Sequence, residues 1–171
     1  MPFPLRCLAA AATLCAAAAA SGHVVLSPGS AMAGSTHDAV FSVGHACKGA
    51  RVTTALSVQL PEGFRLIEAL RRPGWTLAAP QAGARGGEVR WTAASPAAAL
   101  GGGEKGEFAV RGVLPATPGT LYFPVRQVCD VGQADWVQVP GPGDAARPDM
   151  PAARLEVLPP GGGDRPQAHR H

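Results

Sequence analysis

A period-two alternation of apolar and polar residues, interrupted every few positions by proline or glycine, runs through the middle of the chain and excludes most architectures. Between Arg51 and Leu60 it assigns Val52, Thr54, Leu56, Val58 and Leu60 to one face and Thr53, Ser57 and Gln59 to the other. Pro61-Glu62-Gly63 then ends the run as a turn. Val89 and Trp91 alternate with Glu88, Arg90 and Thr92, and Phe108 and Val110 with Glu107 and Arg111. These patterns predict antiparallel strands with one solvated face. Leu121 to Cys129 and Ala134 to Val139 read as a hairpin closed around Asp130-Val131-Gly132-Gln133, and shorter strands are predicted over His23 to Ser27, His37 to Val43, Trp75 to Leu77 and Arg154 to Leu158. No long helical period competes with them. Arg65 to Arg72 admits either a helical turn stopped by Pro73 or an irregular strand. The prediction is an all-β sandwich.

The first residues belong to processing rather than to the fold. Met1 to Arg6 carries one positive charge, and Cys7 to Ala20 is an almost unbroken run of alanine and leucine, too short for a comfortable membrane span and ending at small residues. Residues 1–22 are therefore read as a cleaved signal peptide, 23–158 as one domain, and 159–171, which lacks any apolar pattern, as a disordered tail. The expected location is periplasmic or secreted, with no integral membrane segment left after cleavage. A cut after Gly22 satisfies the small-x-small rule and leaves His23 first; a cut after Ala20 satisfies it too and leaves His23 third. Either N-terminus presents amine, imidazole and amide nitrogens, a donor set suited to Cu(II). The bland alternative is an exposed first residue, and for His169 and His171 in the tail it is a solvated polymer.

Charge and cysteine usage narrow the remaining classes. Fifteen Lys and Arg face twelve Asp and Glu with no basic cluster, so nucleic acid is not an expected partner. Cys7 and Cys15 leave with the signal. Cys47 and Cys129 remain, and in an oxidising compartment they are expected to pair; the alternative is a soft metal site formed by Cys47 with His45 two residues before it. Paired zinc cysteines, a glycine-rich phosphate loop, metalloprotease histidines and a nucleophile elbow are all absent from the sequence.

Several motifs occur together in a fixed order. They are His23-Val24-Val25-Leu26-Ser27-Pro28 with Ala33-Gly34-Ser35, then Val43-Gly44-His45-Ala46-Cys47-Lys48-Gly49 leading to Thr53-Thr54, then Val58-Gln59-Leu60-Pro61-Glu62-Gly63. Pro73-Gly74-Trp75, Val89-Arg90-Trp91-Thr92, Leu121-Tyr122-Phe123-Pro124-Val125 and Trp136 follow. In this order and spacing the chain resembles the YcnI-like family, domain of unknown function 1775, from His23 to about Leu158.

The resemblance implies an immunoglobulin-like antiparallel β-sandwich and a Cu(II) site of the single-histidine brace type. His23 matches the histidine that supplies both its terminal amine and its ring, Trp136 matches the tryptophan beside the metal, and Cys47 and Cys129 match the bridge. Where some members place a glutamate shortly after the first histidine, this chain has Ser27, Gly29 and Ser30, so a further ligand is expected from Asp38, Asp135 or water. His45 is a candidate secondary contact or a neighbour of the disulfide; Trp75 and Trp91 are expected in the core. The implied role is copper traffic with envelope copper transporters or chaperones, not substrate turnover. Two other classes compete: a histidine-brace copper oxygenase, which would want a second histidine and exposed aromatics, and a metal-free immunoglobulin-like interaction module.

Overall fold

A computed structural model describes residues 23–141, 143 and 148–160. The assigned signal peptide and residues 161–171 of the expected tail, with His169 and His171, lie outside the described residues; Pro159 and Pro160 follow the last strand in no regular element. Among the described residues no helix is long and apolar enough to cross a membrane.

One sheet runs, in spatial order, β1 (Val25–Ser27), β3 (Thr36–Val43), β9 (Gly106–Val113) and β5 (Arg65–Ala69), antiparallel throughout. A second runs β12 (Gln133–Trp136), β11 (Val125–Cys129), β4 (Val52–Gln59), β7 (Glu88–Ala93) and β6 (Trp75–Ala78), with β8 (Leu100–Gly101) also pairing with β4. A third, smaller sheet runs β10 (Gly119–Phe123), β13 (Ala153–Leu158) and β2 (Ser30–Met32). Here β13 pairs with β2 in parallel, the one departure from antiparallel pairing among the named strands.

The alternation explains how these sheets stack. In β3, His37, Ala39, Phe41 and Val43 are buried while the residues between them are not, so one face turns to the core. Aromatic rings meet there from different sheets: Phe108 of β9 packs edge-on to Trp75 of β6 at 5.0 Å, and Phe41 of β3 edge-on to Phe123 of β10 at 5.5 Å. Trp75 and Trp91 are core residues, and the Trp91 indole N–H donates to the Leu70 carbonyl at 2.9 Å. Gly112 has no side chain for a steric reason: a Cβ would run into the Phe64 ring.

Three sequence expectations are refined. Leu121 to Cys129 is two strands, because Pro124 has no N–H to continue a ladder and the chain changes sheets there, β10 joining β13 and β11 joining β4. Arg65 to Arg72 takes the strand alternative, as β5. In β4 the register against β11 slips, Val128 pairing with Ala55 but Cys129 with Thr53. This bulge leaves Thr53 fully buried on the side of Leu56 and Val58, and Thr54 outside.

Cys47 and Cys129 form a disulfide with Cα atoms 6.0 Å apart. It closes a segment of 82 residues, worth about 4 kcal/mol in the chain-entropy account. The paired state removes the thiolate that a Cys47–His45 metal site requires.

Two expectations concern stability. Replacing both cysteines by alanine lowers the unfolding free energy by about 4 kcal/mol, read as a shift in the denaturation midpoint. His37 is 7% exposed, its ring Nε2 is buried without a hydrogen-bond partner, and burial lowers its pKa below the ordinary 6.5 against the smaller opposing pull of Asp38 and the Pro28 carbonyl. The folded chain then binds fewer protons than the unfolded one, so this contribution is complete above the unfolded value and is lost as pH falls below it. Denaturation midpoints drop as pH falls below about 6.5, and His37→Gln flattens that slope.

Candidate metal centre

His23 is held in place by its neighbours in the chain. Val24 and Leu26 are buried in the core, so the polypeptide leading into β1 is anchored at alternate residues while Val25 stays exposed. Within β1, Val25 pairs with Ser42 of β3; the same register carried two residues further sets His23 opposite Gly44, next to His45. His23, Val25, Ser42, Gly44 and Lys105 line one shallow surface concavity.

Trp136 reaches this point from the other sheet. It ends β12, opposite Val125 of β11, and the residue is 7% exposed. β1 and β12 are edge strands of their sheets, and the indole meets the ring of His23, two residues ahead of β1. The His23 ring centroid is 5.7 Å from that of Trp136, and the His45 centroid is 6.4 Å from it. Trp136 is both a core aromatic and the neighbour of His23.

A side chain that sequence reasoning missed organises the group. Gln127 of β11 is fully buried; its amide NH2 donates to the His45 carbonyl at 2.6 Å and to the Thr53 hydroxyl at 2.8 Å, and its oxygen accepts the Trp136 indole N–H at 3.3 Å. These partners fix which end of the amide is which. Its signal in the sequence was its place two residues from Val125 and two from Cys129, a polar residue on the apolar face of a strand. The disulfide works alongside it, and the Cys47 N–H donates to Cys129 Sγ at 2.9 Å.

The two expected carboxylates are placed elsewhere. Asp135 adjoins Trp136 in β12 and so points to the opposite face, where Arg126 donates to it at 2.6 Å and Gln133 at 2.9 Å. Asp38 lies six residues back along β3 from Gly44, about 20 Å at strand rise, in a bidentate pair with Arg111 at 2.7 and 2.8 Å. Those guanidinium hydrogen bonds hold both carboxyls below the usual carboxylate range. The structure therefore does not bring Asp38 or Asp135 to His23.

Among the described residues no group of three or more His, Cys, Asp or Glu gathers to enclose a metal. A brace needs fewer side chains, because one terminal histidine contributes two nitrogens. Imidazole nitrogens are donors that suit copper, as they do zinc, iron and nickel.

Comparison with known proteins places this geometry in context. The family model described as a domain of unknown function (DUF1775) matches residues 23–157. An uncharacterized protein from Nocardia farcinica, whose crystal structure reveals an immunoglobulin-like fold, is 29% identical with a TM-score of 0.66, covering 79% of this chain and 97% of that one. A structure of a type I cohesin–dockerin complex from Clostridium thermocellum aligns at 12% identity and TM-score 0.47, over 80% of this chain and 98% of that one. No curated protein matches the chain.

Removing the Gln127 amide takes a hydrogen bond from the His45 carbonyl, the Thr53 hydroxyl and the Trp136 indole N–H at once. Gln127→Leu is expected to lower stability by about 2 kcal/mol and to change the near-ultraviolet circular dichroism of the indoles, measured together by denaturant titration.

Proposed function

The chain belongs to the DUF1775 family, and from that membership together with the geometry around His23 we propose that it is an exported Cu(II)-binding protein of cell-envelope copper traffic. The observation that carries the reading is the His23 ring lying 5.7 Å from the Trp136 ring, immediately after a segment of signal-peptide character. A disulfide suits the oxidising compartment that export would reach.

In the processed chain His23 would hold Cu(II) through its terminal amine and its imidazole. Copper is cargo here, bound and passed on to an envelope transporter or chaperone. Trp136 shields one side of the site, while the edge position of β1 leaves His23 partly accessible for transfer to a partner. A trafficking role asks for no substrate cleft, and none is needed beyond this edge.

The test is copper titration of the exported protein, its first residue read by N-terminal sequencing. One Cu(II) per chain in a nitrogen-rich tetragonal site is expected by electron paramagnetic resonance, and His23→Ala should lose it while keeping the fold. A chain with an extra residue before His23 should bind far more weakly, since its amine becomes an amide. Binding displaces protons from both nitrogens, so apparent affinity should fall with pH. An unchanged spectrum in His23→Ala would refute the reading.

A further inference from the structure

We infer that His45 supplies a second imidazole to this metal site through Nε2, an inference that rests on the copper reading above and names the ligand that reading leaves open. Three observations carry it. His23 and Gly44 line the same surface concavity, just beyond the last β1–β3 pair Val25↔Ser42, and His45 is the next residue along the loop that leaves β3. His23 and His45 both pack on the ring of Trp136, at 5.7 and 6.4 Å, so each imidazole neighbours the same indole.

The third observation is the chemistry of the His45 ring. Its Nδ1 lies 2.8 Å from the Ala46 carbonyl oxygen, which only accepts, so Nδ1 carries the hydrogen and the neutral ring has its lone pair on Nε2. Metal-binding histidines are oriented in this way, with the far nitrogen donating to a carbonyl and fixing the tautomer. The His45 backbone is itself fastened: its carbonyl takes the Gln127 amide at 2.6 Å, the same amide whose oxygen receives the Trp136 N–H, and Cys47 two residues on is bridged to Cys129. One buried side chain thus sets the positions of both His45 and Trp136. A second imidazole takes the place for which Asp38 and Asp135 were the sequence candidates.

The test uses exported protein with one equivalent of Cu(II), and pulsed electron paramagnetic resonance to count coordinated imidazoles from their remote nitrogens. The unaltered protein should show two. His45→Asn keeps an N–H donor where Nδ1 sits but has no counterpart of Nε2; it should show one imidazole and bind roughly tenfold or more weakly in competition titration, with near-ultraviolet circular dichroism unchanged. His23→Ala should lose the site entirely, separating the two residues. A single imidazole in the unaltered protein, or a His45→Asn variant with the original count and affinity, would overturn the inference and leave the His23 brace standing. Loss of the site in neither variant would overturn both readings.

Discussion

Gln127 and Cys129, two residues apart on β11, hold the loop that follows β3 against the second sheet. One does so through a buried amide and the other through a covalent bond. A buried amide is costly unless each of its polar atoms is matched, and here the NH2 group finds a carbonyl and a hydroxyl while the oxygen finds an indole N–H. Because the partners come from three parts of the chain, the match is satisfied in a single arrangement. The indole cannot rotate without stranding the amide, nor can the loop lift without breaking the bridge. The surface at His23 is therefore built on a floor whose parts move together.

Most of the sandwich was legible because burial on one face of a strand writes itself into every second residue. His37 to Val43, Trp75 to Leu77 and Arg154 to Leu158 each fall within a strand, and the hairpin of β11 and β12 closes at the predicted turn residues. The misses have a common cause, which is that periodicity carries no information about partners. Pro124 reads as one residue within a run until pairing shows that each side belongs to a different sheet. The alternation across Thr53 and Thr54 cannot reveal the bulge, since the extra residue is defined only by the strand opposite.

The site was legible in another way. His23 followed from the cleavage position, Cys47 and Cys129 from the exported compartment and Trp136 from a family resemblance; the structure places His23 and Trp136 side by side and bridges the cysteines. Asp38 and Asp135 were chosen for their chemistry, but a side chain's type does not tell which way it points: both lie on outward positions of their strands, paired with arginines. Gln127 was passed over for the converse reason. Its type suggests solvent, while its place between Val125 and Cys129 commits it to the interior.

The order of strands in the small sheet bears on how the molecule comes into being. β13, among the last of the described residues, lies between β10 and β2, and β2 follows the N-terminal strand directly. A chain threaded out from its N-terminal end thus carries β2 without the strand it must pair with until β13 has been made. The sheet closes only after Leu158 has emerged, and the long sequence separation of that contact makes it a slow step. Synthesis as far as β13 is in this sense a checkpoint: a ribosome that stops short of it leaves β10 and β2 without a neighbour in this sheet.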